Sequence, residues 1–297
     1  MATLKMQTRI AVKNIVFATD LSPASFAALP FAAELARYFG AKVFGFHVAA
    51  PVVYPLPEMG GMPTPEEETQ GAGQALRERL KEQLAGVPFE VVIGHGDIWA
   101  GLNRLIEERK IDLVVIGTHG RTGLGKALLG SVAEKIFRQA HCPVLSVGPH
   151  VSWKAQGGGE TKEILYTTDF SAAAKAAAPY ALSLAQESQA RLTLLHVIEK
   201  PGAGDLSNPG QFIGSAMELL RETVPAEAGL WCEPHCEVEI GSPGDVILEM
   251  ARRREADLIV MGVRKPEAPM GLITHFGQAT AYRVVCEARC PVLTVRA

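Results

Sequence analysis

The sequence predicts an α/β protein made of two homologous domains, each a five-stranded parallel doubly wound sheet flanked by helices. Two observations carry that expectation. Short, near-continuous apolar runs alternate with helical stretches, the pattern of parallel strands covered on both faces. The pattern is also written twice. Ala140-His-Cys-Pro-Val-Leu-Ser-Val147 returns as Ala288-Arg-Cys-Pro-Val-Leu-Thr-Val295, and Ile111-Asp-Leu-Val-Val-Ile-Gly117 as Ala256-Asp-Leu-Ile-Val-Met-Gly262. Asp20 recurs as Asp169 and His47-Val48 as His196-Val197, at a near-constant offset of about 149 residues. The expected domains are 1–149 and 163–297. The linker between them is 150–162, where Gly157-Gly158-Gly159 reads as a flexible joint.

In the first copy the strands are expected at 14–18, 42–48, 89–93, 113–116 and 144–147. Ser22-Pro23 supplies an N-cap and a first-turn proline for a helix running to Phe39, and Gly40 stops it. Pro30 interrupts that helix, and Pro179 stands at the matching point of the second copy, so a shared kink is expected. Further helices are expected around 69–84, 98–109 and 131–140, and the proline-rich stretch from Pro51 to Pro65 reads as a connection or lid.

Composition excludes several classes. Of 297 residues, 47% are hydrophobic and 21% charged, which excludes a disordered or fibrous chain. With 29 basic and 32 acidic residues the net charge is −3, so no chain-wide attraction to nucleic acid or anionic membrane is expected. No apolar run approaches the ~18 residues of a membrane span, and no signal peptide is visible. Five cysteines do not look like a secreted disulfide framework. The expectation is a cytoplasmic protein with reduced thiols.

In open α/β sheets ligands bind beyond the carboxyl ends of the strands. There the first copy has Asp20, Val48 and the segment Gly117-Thr-His-Gly120-Arg-Thr-Gly-Leu-Gly-Lys-Ala-Leu-Leu-Gly130-Ser131. Glycines admit a ligand close to the backbone, free N–H groups at a helix start attract anions, and Arg121 and Lys126 add positive charge. Gly120 to Ala127 fits P-loop spacing except at Ala127, which cannot hold Mg²⁺ as Ser or Thr would. The loop also follows the fourth strand, whereas a P-loop hangs on the first.

Gly117-x2-Gly120-x9-Gly130-Ser131 resembles the ATP-binding signature of the universal stress protein family. The Asp after the first strand, the His-Val ending the second and the Cys-Pro-Val before the last resemble it too, and the similarity covers both halves. The resemblance implies an ATP site, with Mg²⁺ accompanying the nucleotide. Asp20 would meet its ribose or adenine side and the Val48 backbone its adenine. Ile116, Gly117, His119 and Gly120 would flank ribose and phosphates, and Gly130, Ser131, Val132 and Ala133 would cradle the phosphates. The second copy departs from the signature: Lys265 replaces Gly120, Gln278-Ala279 fall where Gly130-Ser131 stand, and the loop is longer. One ATP per chain, in the first domain, is therefore expected.

Blander roles compete for some of these residues. Asp20 also reads as a cap of the helix near Ser22, while its place after a strand end and its twin Asp169 favour a site role and a shared structural role equally; His47 and His196 read as structural hydrogen bonders. Cys232-Glu-Pro-His235-Cys236 and Cys286-Glu-Ala-Arg-Cys290 have zinc-like spacing. Yet Cys290 matches the solitary Cys142, and no metal site is expected. The function expected is a nucleotide-dependent stress-response sensor or regulator, with an unknown protein partner and pairing into a homodimer. The alternatives are a slow ATPase and an oligomeric module that ignores nucleotide.

Overall fold

The computed structural model describes residues 10–49, 64–119, 129–151, 161–199, 209–226, 228, 234–264 and 277–297. It forms two compact units, Val12–Val144 and Leu145–Ala297, the second including Ile10 and Ala11.

The first unit runs β1 (Asn14–Ala18), α1 (Pro23–Phe26), α2 (Leu29–Phe39), β2 (Lys42–Ala49), α3 (Pro65–Gln83), β3 (Phe89–His95), α4 (Ile98–Arg109), β4 (Leu113–Gly117) and α5 (Ser131–Gln139), with β5 (Val144–Val147) at the division itself. The strands lie in the order β3-β2-β1-β4, and every pair is parallel. Val114 N–H donates to the Pro143 carbonyl just before β5, so the chain enters β5 beside β4. The inner strands are apolar along their length because both faces are covered, and Ile15, Val16, Phe17, Val114 and Val115 are fully buried. Asp112 fixes the register of β1 against β4: its Oδ2 accepts from Lys13 N (2.8 Å) and Asn14 N (2.9 Å).

The second unit repeats the plan with β6 (Glu163–Thr168), α6 (Ala172–Ser188), β7 (Arg191–Ile198), α7 (Pro209–Thr223), β8 (His235–Ile240), α8 (Pro243–Arg253), β9 (Leu258–Gly262), α9 (Gly277–Glu287) and β10 (Val292–Val295). Its order is β10-β9-β6-β7-β8, again parallel throughout. Asp257 repeats the role of Asp112, accepting from Lys162 N (2.7 Å) and Glu163 N (3.0 Å).

Local chemistry explains most helix ends. Ser22 caps α1 by accepting from Ser25 N at 3.1 Å, and Pro23 takes the first helical position. Gly40 ends α2 in the left-handed conformation at φ 64°. The connection before α3 closes on Thr64-Pro65, which start that helix with a reciprocal capping box between Thr64 and Glu67. The rest of the Pro51 to Pro65 stretch lies outside the described residues, as does Gly157-Gly158-Gly159.

The expected shared kink is not what the structure has. In the first unit the helix breaks at Ala27-Ala28, where Ala27 and Ala28 N–H donate to Ala24 and Ser25 carbonyls three residues back. Pro30 then falls in the first turn of α2, where its missing N–H has no partner to lose. Pro179 instead lies inside an unbroken α6.

Candidate functional site

Beyond the carboxyl ends of β1, β2 and β4, where α5 begins, the first unit encloses a cavity of about 320 Å³. Of the residues expected there, Asp20 lines it from the turn after β1, Val48 from β2, Ile116 and Gly117 from the end of β4 and His119 from just beyond it. Gly130, Ser131, Val132 and Ala133 line it from the start of α5. Gly120, with Arg121 and Lys126, lies outside the described residues.

One end of the cavity is a helix start. Gly130 is the N-cap of α5 and offers no side chain to the first N–H groups. Its own N–H donates to Thr118 O at 2.9 Å, and its carbonyl accepts from Glu134 N at 2.8 Å. The N–H groups of the first turn are therefore left to whatever enters the cavity, at the positive end of the helix dipole. Gly130 has φ −58°, which any residue adopts, and a Cβ there would meet only Thr118 O at 3.5 Å. Neither backbone strain nor packing requires a glycine at this point.

Gly117 differs. A Cβ on it would stand 2.9 Å from Ser25 Cα and 3.1 Å from Ala24 O, so α1 can rest on the end of β4 only if this residue is glycine. Gly262 repeats that contact, since a Cβ there would run into the Ala173-Ala174 backbone. Both glycines are fixed by packing, whatever else Gly117 touches.

Asp20 is not the helix cap; Ser22 is. The Asp20 carboxylate closes the turn ahead of it, Oδ1 accepting from Ser22 N at 2.9 Å across Leu21, which is left-handed at φ 64°. His47 is buried and its Nδ1–H donates to the Thr19 carbonyl at 2.9 Å, as His196 Nδ1–H does to Thr168 O at 2.8 Å. Since a carbonyl only accepts, this bond fixes the protonated nitrogen of each ring. His119 shares a 2.9 Å hydrogen bond between its Nδ1 and Thr118 Oγ1.

Sequence reasoning missed Thr19, Ser25, Phe46, Ile98, Thr118 and Ile136, all of which line the cavity. Thr19 Oγ1 and Ser25 Oγ are 2.7 Å apart, and Ser25 Oγ also donates to Ser22 O at 2.9 Å. The recurrence of Thr-Asp as Thr168-Asp169 was a usable signal for Thr19. Ile98 carried none, because only the sheet order brings the start of α4 here. Asp97 caps α4 by accepting from Ala100 N at 2.8 Å and pairs with Lys135 of α5 at 3.1 Å, which ties together two helices that begin at the cavity.

The matching region of the second unit is built differently. Asp169 keeps the turn, Oδ1 accepting from Ser171 N at 3.0 Å, but its Oδ2 pairs with Arg264 Nη2 at 2.7 Å. Burial pushes the Asp169 carboxyl up. The hydrogen bonds from Ser171 and Arg264 outweigh that and hold it below the usual carboxylate range. Arg264 stands where the first copy has His119, and Phe170, where it has Leu21, lies with its ring 4.5 Å from that of His196. Helix α9 starts at Gly277, so Gln278 and Ala279 fall in its first turn; Lys265 lies outside the described residues. Cys286 and Cys290 are buried, Cys142 and Cys236 half-buried, and Cys232 lies outside the described residues. Among the described residues no group of three or more His, Cys, Asp or Glu could hold a metal ion, and no helix is long and apolar enough to cross a membrane.

Comparison with known proteins agrees with the repeat. The family model described as "Universal stress protein family" matches residues 11–148 and again 160–296. A universal stress protein of Methanocaldococcus jannaschii is 36% identical over 149 residues, covering 46% of this chain and 81% of its own. One of Mycolicibacterium smegmatis is 28% identical over 297 residues, covering 95% of this chain and 97% of its own. The crystal structure of a universal stress protein from Archaeoglobus fulgidus superposes with a TM-score of 0.72 at 21% identity, over 95% of this chain and 98% of that one, and so shares the two-copy fold.

Proposed function

The chain belongs to the universal stress protein family, and from that premise we propose that its first copy binds ATP and that nucleotide occupancy makes it a stress-response sensor or regulator. The observation that carries this reading is the start of α5. A glycine that neither the backbone nor packing requires leaves uncapped N–H groups facing a cavity of about 320 Å³. Such a helix start suits phosphate oxygens. The N–H groups of Ser131, Val132 and Ala133, with the Ser131 hydroxyl, would hold them. At the other end Phe46, Val48, Ile98 and Ile116 offer an apolar wall for a planar base. The Asp20 carboxylate beside it would accept from ribose hydroxyls. Mg²⁺ would arrive on the phosphate oxygens of ATP.

Mass spectrometry of small molecules released from the purified protein should find ATP. Gly130→Val places a branched side chain at the helix start and should abolish ATP binding in isothermal titration, with the fold intact by circular dichroism. Full affinity in that variant would remove the start of α5 from the site.

A further inference from the structure

We propose that Gly94 and Gly101 are positioning residues for the aromatic base of a nucleotide: they seat the Phe46 ring clear of the cavity and so keep its apolar end wide enough for a planar base. The inference rests on the nucleotide reading of the first copy. It adds to that reading two residues that do not line the cavity themselves but on which its base end depends.

Phe46 and Val48 stand two residues apart on one face of β2, and both line the cavity. Val48 is paired with Gly94 on β3, and Gly101 faces the same two side chains from α4. A Cβ at Gly94 would meet Phe46 Cε2 and Val48 Cγ2 at 3.2 Å and Phe46 Cζ at 3.3 Å. A Cβ at Gly101 would meet Phe46 Cζ at 3.2 Å and Cε2 at 3.8 Å. Neither glycine has a positive φ, so the backbone does not require one. Both lie within regular elements, where glycine is unfavourable relative to alanine. What they share is the edge of one aromatic ring. With a methyl group at either position the ring must give by a few tenths of an ångström, and the space open to it is the cavity it lines.

The second copy shows the same three positions with the ring removed. Leu195 stands where the first copy has Phe46, Glu239 where it has Gly94, and Val246 where it has Gly101. The backbone supports the match. Glu239 is paired with Val197 as Gly94 is with Val48, and Gly101 and Val246 each take the fourth position of their helix. Where a smaller aliphatic chain replaces the ring, side chains occupy both glycine positions. The three positions therefore pack as one unit, and the size of one sets what the other two can be.

An aromatic neighbour at the right separation and tilt is worth about fivefold in affinity for a planar base. A ring pushed into the cavity gives up that contact and also takes space the base needs. Crowding the seat should therefore cost more than deleting the ring, about tenfold.

The test is isothermal titration of the full chain with ATP, with the fold of each variant checked by circular dichroism. Phe46→Leu should weaken binding about fivefold and Gly101→Val about tenfold. The double variant, which carries the residue types of the second copy at both positions, should weaken it only about fivefold, because leucine does not need the seat. Independent effects would multiply to roughly fiftyfold, as they would if the glycine served the fold alone. That product, or full affinity in Gly101→Val, would overturn the proposal. Should Gly101→Val not fold, Gly101→Ala, which the helix itself favours, should weaken binding about threefold in the native background and no further beside Phe46→Leu. Full affinity in Gly101→Ala would be equally decisive. A native chain that bound no ATP would overturn the nucleotide reading and this inference with it, whereas native binding left unchanged by the Gly101 variants would overturn this inference alone.

Discussion

A methyl group added at Gly117 would stand 2.9 Å from Ser25 Cα, whereas one added at Gly130 would find only Thr118 O at 3.5 Å. The two glycines of the cavity therefore separate by experiment. Gly117→Ala forces α1 away from β4 and should lower stability by about 1–3 kcal/mol in urea denaturation. Gly130→Ala should lower it by about 1 kcal/mol or less, the difference between glycine and alanine at an N-cap, while weakening ATP binding in titration. If both variants lost stability equally, the glycine at 130 would be structural after all. The thiols give a second residue-scale outcome. Burial pushes Cys142 up to about 11 and Cys290 up to about 12. Since the thiolate is the nucleophile, neither should be alkylated by iodoacetamide at pH 8 in the native protein, and both should react once it is unfolded. Peptide mass spectrometry reads each site.

At the scale of elements, the turn that opens α6 is held by a carboxylate whose behaviour with pH is determined by its partners. Asp169 titrates below its ordinary range, so its contribution to stability is fully present above about pH 4, the unfolded value. It is lost as pH falls through the lower folded value. Arg264→Ala removes one of the groups that hold it down. The stability of native protein minus variant should therefore be positive at neutral pH, below about 1 kcal/mol for so exposed a pair, and should fade as pH drops under 4. Urea melts at stepped pH measure it. A difference that grew on acidification would show that the pair does not stabilise the charged acid. Prolines at matching positions, by contrast, do not act alike. Pro30 opens a helix after a break and Pro179 is carried within one, so a proline's effect depends on which carbonyls its neighbours have already bonded.

For the whole molecule, the two copies share backbone plan and strand order but differ beyond the carboxyl ends of their strands. The expected outcome is one ATP per chain. Native mass spectrometry of the full chain with ATP and Mg²⁺ should show a single addition, lost in Gly130→Val. Two equal additions would contradict the unequal-copy reading. In the second copy Asp169 is engaged by Arg264, which stands where the first copy has His119.

The doubling, the parallel α/β class and most strand positions were legible in the sequence. They depend on repetition and on unbroken apolar runs, which local order alone expresses. Ser22 as a cap and Gly40 as a stop were legible for the same reason, since each acts on its own neighbours. Nine of the ten residues singled out for the site line one cavity, because strand ends of a parallel sheet are forced to the same side. Other features were settled only by the tertiary structure. Ile98 reaches the cavity through sheet order, Gly117 is glycine because a distant helix rests on it, and the helix breaks at Ala27-Ala28, not at Pro30. Arg264 finds Asp169 across 95 positions of chain. Contacts between residues so far apart leave no periodicity to read. They exist only once the strands have been laid side by side.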